Sequence, residues 1–163
     1  MKPFLSILLS FIFVLPNLAQ HEEDFASSFM EMNRDEANLE CMTVGPSMME
    51  RILKIPTDSM ECDSLLPLLE QIKSVRVVSS QTTEEQAILL FEKAEVLAQY
   101  HPLGYLRVGK DAHSALYQRR RGEYIVEIVL ILQRIGNFSL IDLTGSMTDN
   151  VLMRLTQDED AQE

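Results

Sequence analysis

The chain has 163 residues, 25 acidic against 14 basic, and a formal net charge of −11. That acidity excludes nucleic acid and anionic membrane surfaces as partners, because the interaction with phosphate is repulsive. Length and composition fit one globular domain rather than two.

The N-terminus reads as a secretory leader over residues 1–20. Lys2 supplies a short positive region, and Phe4 to Leu15 (FLSILLSFIFVL) is apolar apart from Ser6 and Ser10. Such a run is too short to span a bilayer, which needs roughly 20 residues, and suits a cleaved signal peptide. Pro16 and Asn17 break it, and cleavage is expected after Ala19 or Gln20. No cysteine lies near this point to carry a lipid. The mature protein is therefore expected to be soluble, periplasmic or extracellular, without a stable membrane anchor. Cleavage after Leu18, a poor cleavage residue, would leave Ala19-Gln20-His21 as an amino-terminal copper chelate. Segment 21–40 and the tail 158–163 are acidic and read as solvated ends flanking a single domain over 41–157.

Cys41 to Val44 is strand-like and ends at Gly45-Pro46. Ser47 followed by Glu50 makes a capping box for a short helix reaching Ile55. A second helix begins at Asp63 or Ser64, with Pro67 in its first turn, where a missing amide is tolerated. Ser74 to Ser80 has a period of two with β-branched residues, and Thr82-Thr83-Glu84-Glu85 then opens a helix reaching about Tyr100. In that helix Ala87, Leu90, Phe91, Ala94, Leu97 and Ala98 form one core-facing stripe. Four strand-like runs follow, Gly104 to Lys110, Ser114 to Arg120, Tyr124 to Gln133 and Phe138 to Met147, joined by short turns. The third is apolar on one face and half apolar on the other, as a central strand should be. A last helix covers Asp149 to Thr156 with Val151, Leu152 and Leu155 inward. The predicted fold is α+β: an antiparallel β-meander sheet with helices packed on one face, and a β-α-β-β-β-β-α core preceded by a short strand and two short helices.

Four blocks carry a family resemblance. They are Cys41-Met42-Thr43-Val44-Gly45-Pro46-Ser47-Met48-Met49, Ile72 to Ser79 (IKSVRVVS), Glu123 to Leu130 (EYIVEIVL) and Phe138 to Gly145 (FSLIDLTG). Together they resemble the domain of unknown function 4252, over about residues 40–157. The resemblance implies a small secreted or lipid-anchored protein of the Bacteroides group of Gram-negative bacteria. It supplies no activity and no functional residues. Lipid-anchored members carry a leader cysteine that this chain lacks.

The chemistry-bearing residues are few. Asp111, His113 and Ser114 are the residue types of a hydrolytic triad, but three neighbours in one turn cannot converge as nucleophile, base and orienter, and turn chemistry explains them. There is no glycine-rich phosphate loop, HExxH or CxxC. Cys41, Met42, Met48, Met49, Met60 and Cys62 are soft ligand types suited to Cu(I), yet lack the spacing of known sites and serve equally as core filler. Cys41 and Cys62 form either a disulfide, closing a loop worth about 3 kcal/mol, or two separate thiols. Arg119, Arg120 and Arg121 form the basic cluster of this acidic chain, at a hairpin tip, as a contact for an acidic partner or as a solvated end that blocks edge pairing. No catalytic residue, metal ligand or cofactor is assigned. The expected function is that of a non-enzymatic envelope protein binding a protein partner. The alternatives are a module for a small apolar or anionic ligand, or a Cu(I)-handling protein.

Overall fold

The computed structural model describes residues 23–36, 38–54, 60–109 and 112–157, with backbone alone for 60–64 and 157. The leader 1–20, His21, Asp111 and the tail 158–163 lie outside the described residues. The elements in chain order are α1 (Phe25–Met32), β1 (Glu40–Val44), α2 (Pro46–Ile52), α3 (Met60–Leu69), β2 (Ile72–Gln81), α4 (Glu84–Tyr100), β3 (Leu106–Arg107), β4 (Ser114–Arg121), β5 (Tyr124–Arg134), β6 (Asn137–Met147) and α5 (Asp149–Gln157). The strands form one antiparallel sheet in the order β1-β2-β6-β5-β4-β3. The expected α+β class and the meander from β3 to β6 are both present.

The path of the chain follows from α4. Thr83 caps it, its hydroxyl accepting from Gln86 N at 3.3 Å, with Glu84 and Glu85 in the first turn to complement the helix dipole. Seventeen residues span about 25 Å. The four strand spacings separating β2 from β3 amount to about 19 Å. The helix can therefore carry the chain across one face of the sheet, after which the meander returns strand by strand until β6 pairs with β2. The predicted stripe on α4 is the buried one: Ala87, Leu90, Phe91, Ala94 and Ala98 are buried and Leu97 packs beside them.

Helices were expected on one face of the sheet; they occupy both. Along β5, Val129 and Ile131 join the core beneath α1 and α4, whereas Ile128 and Leu130 join a second core with Met49 of α2, Leu68 and Leu69 of α3, and Val151 of α5. Successive side chains of a strand point to opposite faces, so these are two separate layers. A bulge between Ile125 and Glu127 resets the alternation and lets Ile125 share the second core with Ile128.

Local readings were corrected elsewhere. Segment 21–40 contains α1, whose Phe25, Ala26 and Phe29 are fully buried, in place of a solvated tail. Gly45 rather than Ser47 caps α2, with Pro46 at its first position, where the proline ring presets the helical φ. Pro67 lies inside α3, which begins at Met60. β3 is only two residues long because Gly104 turns with φ +68° before it, and the Val108 and Gly109 amides both donate to Leu116 O after it.

The β6 end is closed against the start of β2. Ser146 N donates to Gln71 O at 3.0 Å, and a Cβ added at Gly145 would overlap that same carbonyl oxygen. Gly145→Ala is expected to cost about 1–3 kcal/mol, since backbone on both sides must shift. A lowered urea midpoint with an unchanged m-value would show it.

Candidate functional site

The most unusual side chains of this protein lie under the start of α1. Glu127 of β5 and Asp142 of β6 project from the α1/α4 face of the sheet and are 0% and 1% exposed. Val129 pairs with Asp142 and Glu127 with Thr144, so the two carboxyls are diagonal neighbours on adjacent strands. They receive consecutive amides of the helix: Phe25 N donates to Glu127 Oε1 at 2.7 Å and Ala26 N to Asp142 Oδ2 at 2.9 Å. Asp24, the N-cap, takes the third amide, Ser27 N, at 2.8 Å. First-turn amides have no intrahelical acceptor, and here each is satisfied by a different carboxylate, two of them supplied by the sheet.

Two guanidinium groups face these three acids. Arg119 of β4, 8% exposed, donates through Nε to Glu127 Oε2 at 2.8 Å and adds a second bond through Nη2. Arg76 of β2 holds Asp24 at 3.2 Å and also reaches Ser27 Oγ. Asp142 has no such cation, and its Oδ1 is buried with no donor reaching it among the described residues. Burial, followed by the charge of Glu127, pushes the Asp142 carboxyl well above the ordinary carboxylate range. Aromatic rings wall the cluster: Tyr105 packs edge-on against Phe25 and His101 at 5.1 Å each, and Arg119 lies 5.7 Å over the Tyr105 ring. Burial and the adjacent Glu127 raise the Tyr105 phenol, and burial lowers His101.

A second feature adjoins α1. Between the helix and β1 runs a groove of about 580 Å³ lined by Glu23, Ser27, Glu31, Arg34, Cys41 and Arg76, among others. β1 is the terminal strand of the sheet, and its outer side meets no other strand among the described residues. Glu40, Cys41, Met42 and Thr43 are exposed, Met42 at 64%. The connection from α1 to this strand is fixed by Glu36, which is bound by Lys93 and, at 2.7 Å, by Gln86 of α4.

The residues singled out in the sequence are dispersed. Strand alternation separates the arginine cluster: Arg119 is buried on Glu127, Arg120 bonds Asp149 at the start of α5, and Arg121 is exposed. The tip therefore does not present three guanidinium groups as one surface. Cys41 is an exposed thiol 4.0 Å from Thr43 Oγ1, and the side chains of Met60 and Cys62 lie outside the described residues. Met42 and Met48 are exposed and Met49 is buried in the second core, so these soft ligands do not converge. Among the described residues no group of three or more His, Cys, Asp and Glu side chains is placed to hold a metal ion. His113 Nδ1 is 2.7 Å from Gln133 Oε1 across the β4–β5 pair, and Ser114 begins β4.

The carboxylate cluster went unread in the sequence although two signals point to it. Asp24 precedes apolar residues at 25, 26 and 29, the pattern of a capped amphipathic helix. Glu127 and Asp142 stand beside Val129, Ile131, Phe138 and Leu140 on the face they share, where a charge requires a partner.

These features define an open antiparallel sheet with helices on both faces, a helix docked through its amides onto buried acids, and an exposed terminal strand β1. The chain belongs to the family described as Domain of unknown function (DUF4252), whose pattern matches residues 29–155. That match includes the second half of α1 and so extends the domain N-terminally beyond residue 41. Comparison with curated proteins finds no match. No helix among the described residues is long and apolar enough to cross a membrane.

Proposed function

We propose that the chain is an exported, non-catalytic domain of the cell envelope that binds a protein partner by accepting an extended segment along the free side of β1. The observation that carries this is the contrast between the two sheet edges. Native edges are normally blunted by short strands, charge or proline. β3 is blunted, with two residues and Arg107 tied to Glu95. β1 is five residues long with only Glu40 charged, and it exposes both its outer edge and its side chains.

Strand addition joins backbone to backbone and reads alternate side chains, so it asks little of any single residue. On the α1 side of β1 the incoming chain would meet Glu23, Glu31 and Arg34, which suits polar side chains of mixed charge. On the other side it would meet Met42 and the exposed Met48 and Ile52 of α2, which suits apolar ones. Export rests on the leader of residues 1–20, and N-terminal sequencing of the natural protein is expected to begin after Ala19 or Gln20.

The partner reading is tested by placing a photo-crosslinking side chain at Met42 and, as a control, at the still more exposed Ile135 on the β5–β6 turn, in cells carrying the full chain. A defined protein adduct is expected at 42 and not at 135. Adducts at neither position, or the same adducts at both, overturn the reading. Met42→Lys places a charge on the edge and is expected to abolish the adduct formed from a crosslinker at the neighbouring Thr43. Folding stability should stay within about 0.5 kcal/mol of wild type, as for ordinary surface substitutions.

A further inference from the structure

We infer that α1 is a strap whose docking on the sheet is controlled by a single proton held on Asp142, so that α1 detaches locally as pH rises while the rest of the domain stays folded. This goes beyond the partner reading and does not rest on it.

The inference stands first on the inventory of charge around α1. The groups facing Asp142 are Glu127 on β5, Asp24 at the helix cap, Arg119 on β4 and Arg76 on β2, with Tyr105 and His101 closing the side. Three carboxyls face two guanidinium groups, and both guanidiniums are engaged by the other two acids. With Asp142 protonated the count balances. Oδ2 still accepts from Ala26 N, and protonation removes the charge from a buried carboxyl whose Oδ1 has no hydrogen-bond partner among the described residues and which Glu127 repels. With Asp142 ionised, a third negative charge sits buried among the others. The α1 N-terminus compensates it through Ala26 N, whereas Arg76, directly opposite on β2, is engaged with Asp24.

The second support is that α1 is separable. It is eight residues long and anchored by Phe25, Ala26 and Phe29, by the amide–carboxylate bonds and by Arg76. It is not part of the sheet. Detachment would remove the helix amides from Glu127 and Asp142, open them to water and relieve their repulsion. It would also widen the groove beside β1.

The sign follows from linkage. A carboxyl whose docked value is raised contributes stability that is complete below its ordinary value, near 4, and is lost as pH climbs through its docked value, about 8. His101, lowered by burial, acts oppositely and only toward acid, weakening docking below its ordinary 6.5. The Asp142 contribution is therefore read as a difference between wild type and Asp142→Asn, whose amide is neutral at every pH and keeps an acceptor for Ala26 N.

The experiment is hydrogen exchange of the mature full-length domain from pH 4 to 9, comparing protection factors of amides in 28–33 with those in 90–94 of α4. In wild type, α1 protection relative to α4 is expected to fall between about pH 4 and 8 by up to about tenfold per unit, and then level off. In Asp142→Asn that fall should vanish. Identical α1 profiles in the two proteins, or α1 and α4 losing protection together, overturn the inference. Carbon-13 titration of the Asp142 carboxyl in wild type decides independently of whether the variant folds: a midpoint in the ordinary carboxylate range also overturns it.

Discussion

Arg119→Met is expected to lower the stability of the domain by about 3–5 kcal/mol, the cost of leaving a buried charge without its partner. It is the guanidinium that lies over the Tyr105 ring, and methionine replaces the arginine stem with a flexible apolar chain, so the loss is mainly electrostatic rather than a cavity. What remains is Glu127, 0% exposed, with Oε1 still accepting from Phe25 N and Oε2 facing nothing positive. Adding Glu127→Gln should recover a large part of the loss, because the amide oxygen can keep the Phe25 bond while the buried charge disappears. Chemical denaturation of both variants checks this. A single variant within about 1 kcal/mol of wild type would show that Glu127 finds water or another donor when Arg119 is gone.

Phe29→Ala should cost about 3–5 kcal/mol of α1 docking, as large-to-small changes of buried aromatics do. Phe29 is fully buried and stacks on Phe138 of β6 with ring centroids 5.4 Å apart. Because α1 is a peripheral element, the cost should appear as local release. Exchange protection is expected to fall across 28–33 while α4 and β5 keep theirs, and the denaturation midpoint should move less than the local loss implies. Met32→Ala, in the same helix but 65% exposed, is the control and should be neutral within about 0.5 kcal/mol. Equal loss of protection throughout the domain would make α1 part of the central cooperative unit instead.

The two variants address different halves of one attachment. Phe29 supplies the apolar grip and Arg119 pairs with the acid under the helix amides. A short helix has little intrinsic stability in water and forms because a tertiary surface receives it. Here that surface has an apolar part, through Phe138 and Val78, and a charged part, through Glu127 and Asp142.

Local chemistry was legible wherever it is complete within a few residues. Thr83 with the acids behind it, the Ala87-to-Ala98 stripe, the turns at Gly122 and Gly136, and the β-branched runs of β2, β5 and β6 are each local patterns that the structure reproduces. The family pattern likewise sits on these blocks. Segment 21–40 misled because its acidity dominates composition, while three apolar residues suffice to bury a helix of eight.

By itself the sequence determined the α+β class and the order of the elements from β1 to α5, because periodicity and capping are set between near neighbours. Only the tertiary structure decided that helices cover both faces, that β6 closes beside β2, that α1 belongs to the domain, and that Glu127, Asp142, Arg119 and Asp24 meet. Those outcomes depend on strand order and face. Residues 102 and 116 positions apart join α1 to its two acids, and no local pattern in the chain records which strands lie beneath a helix.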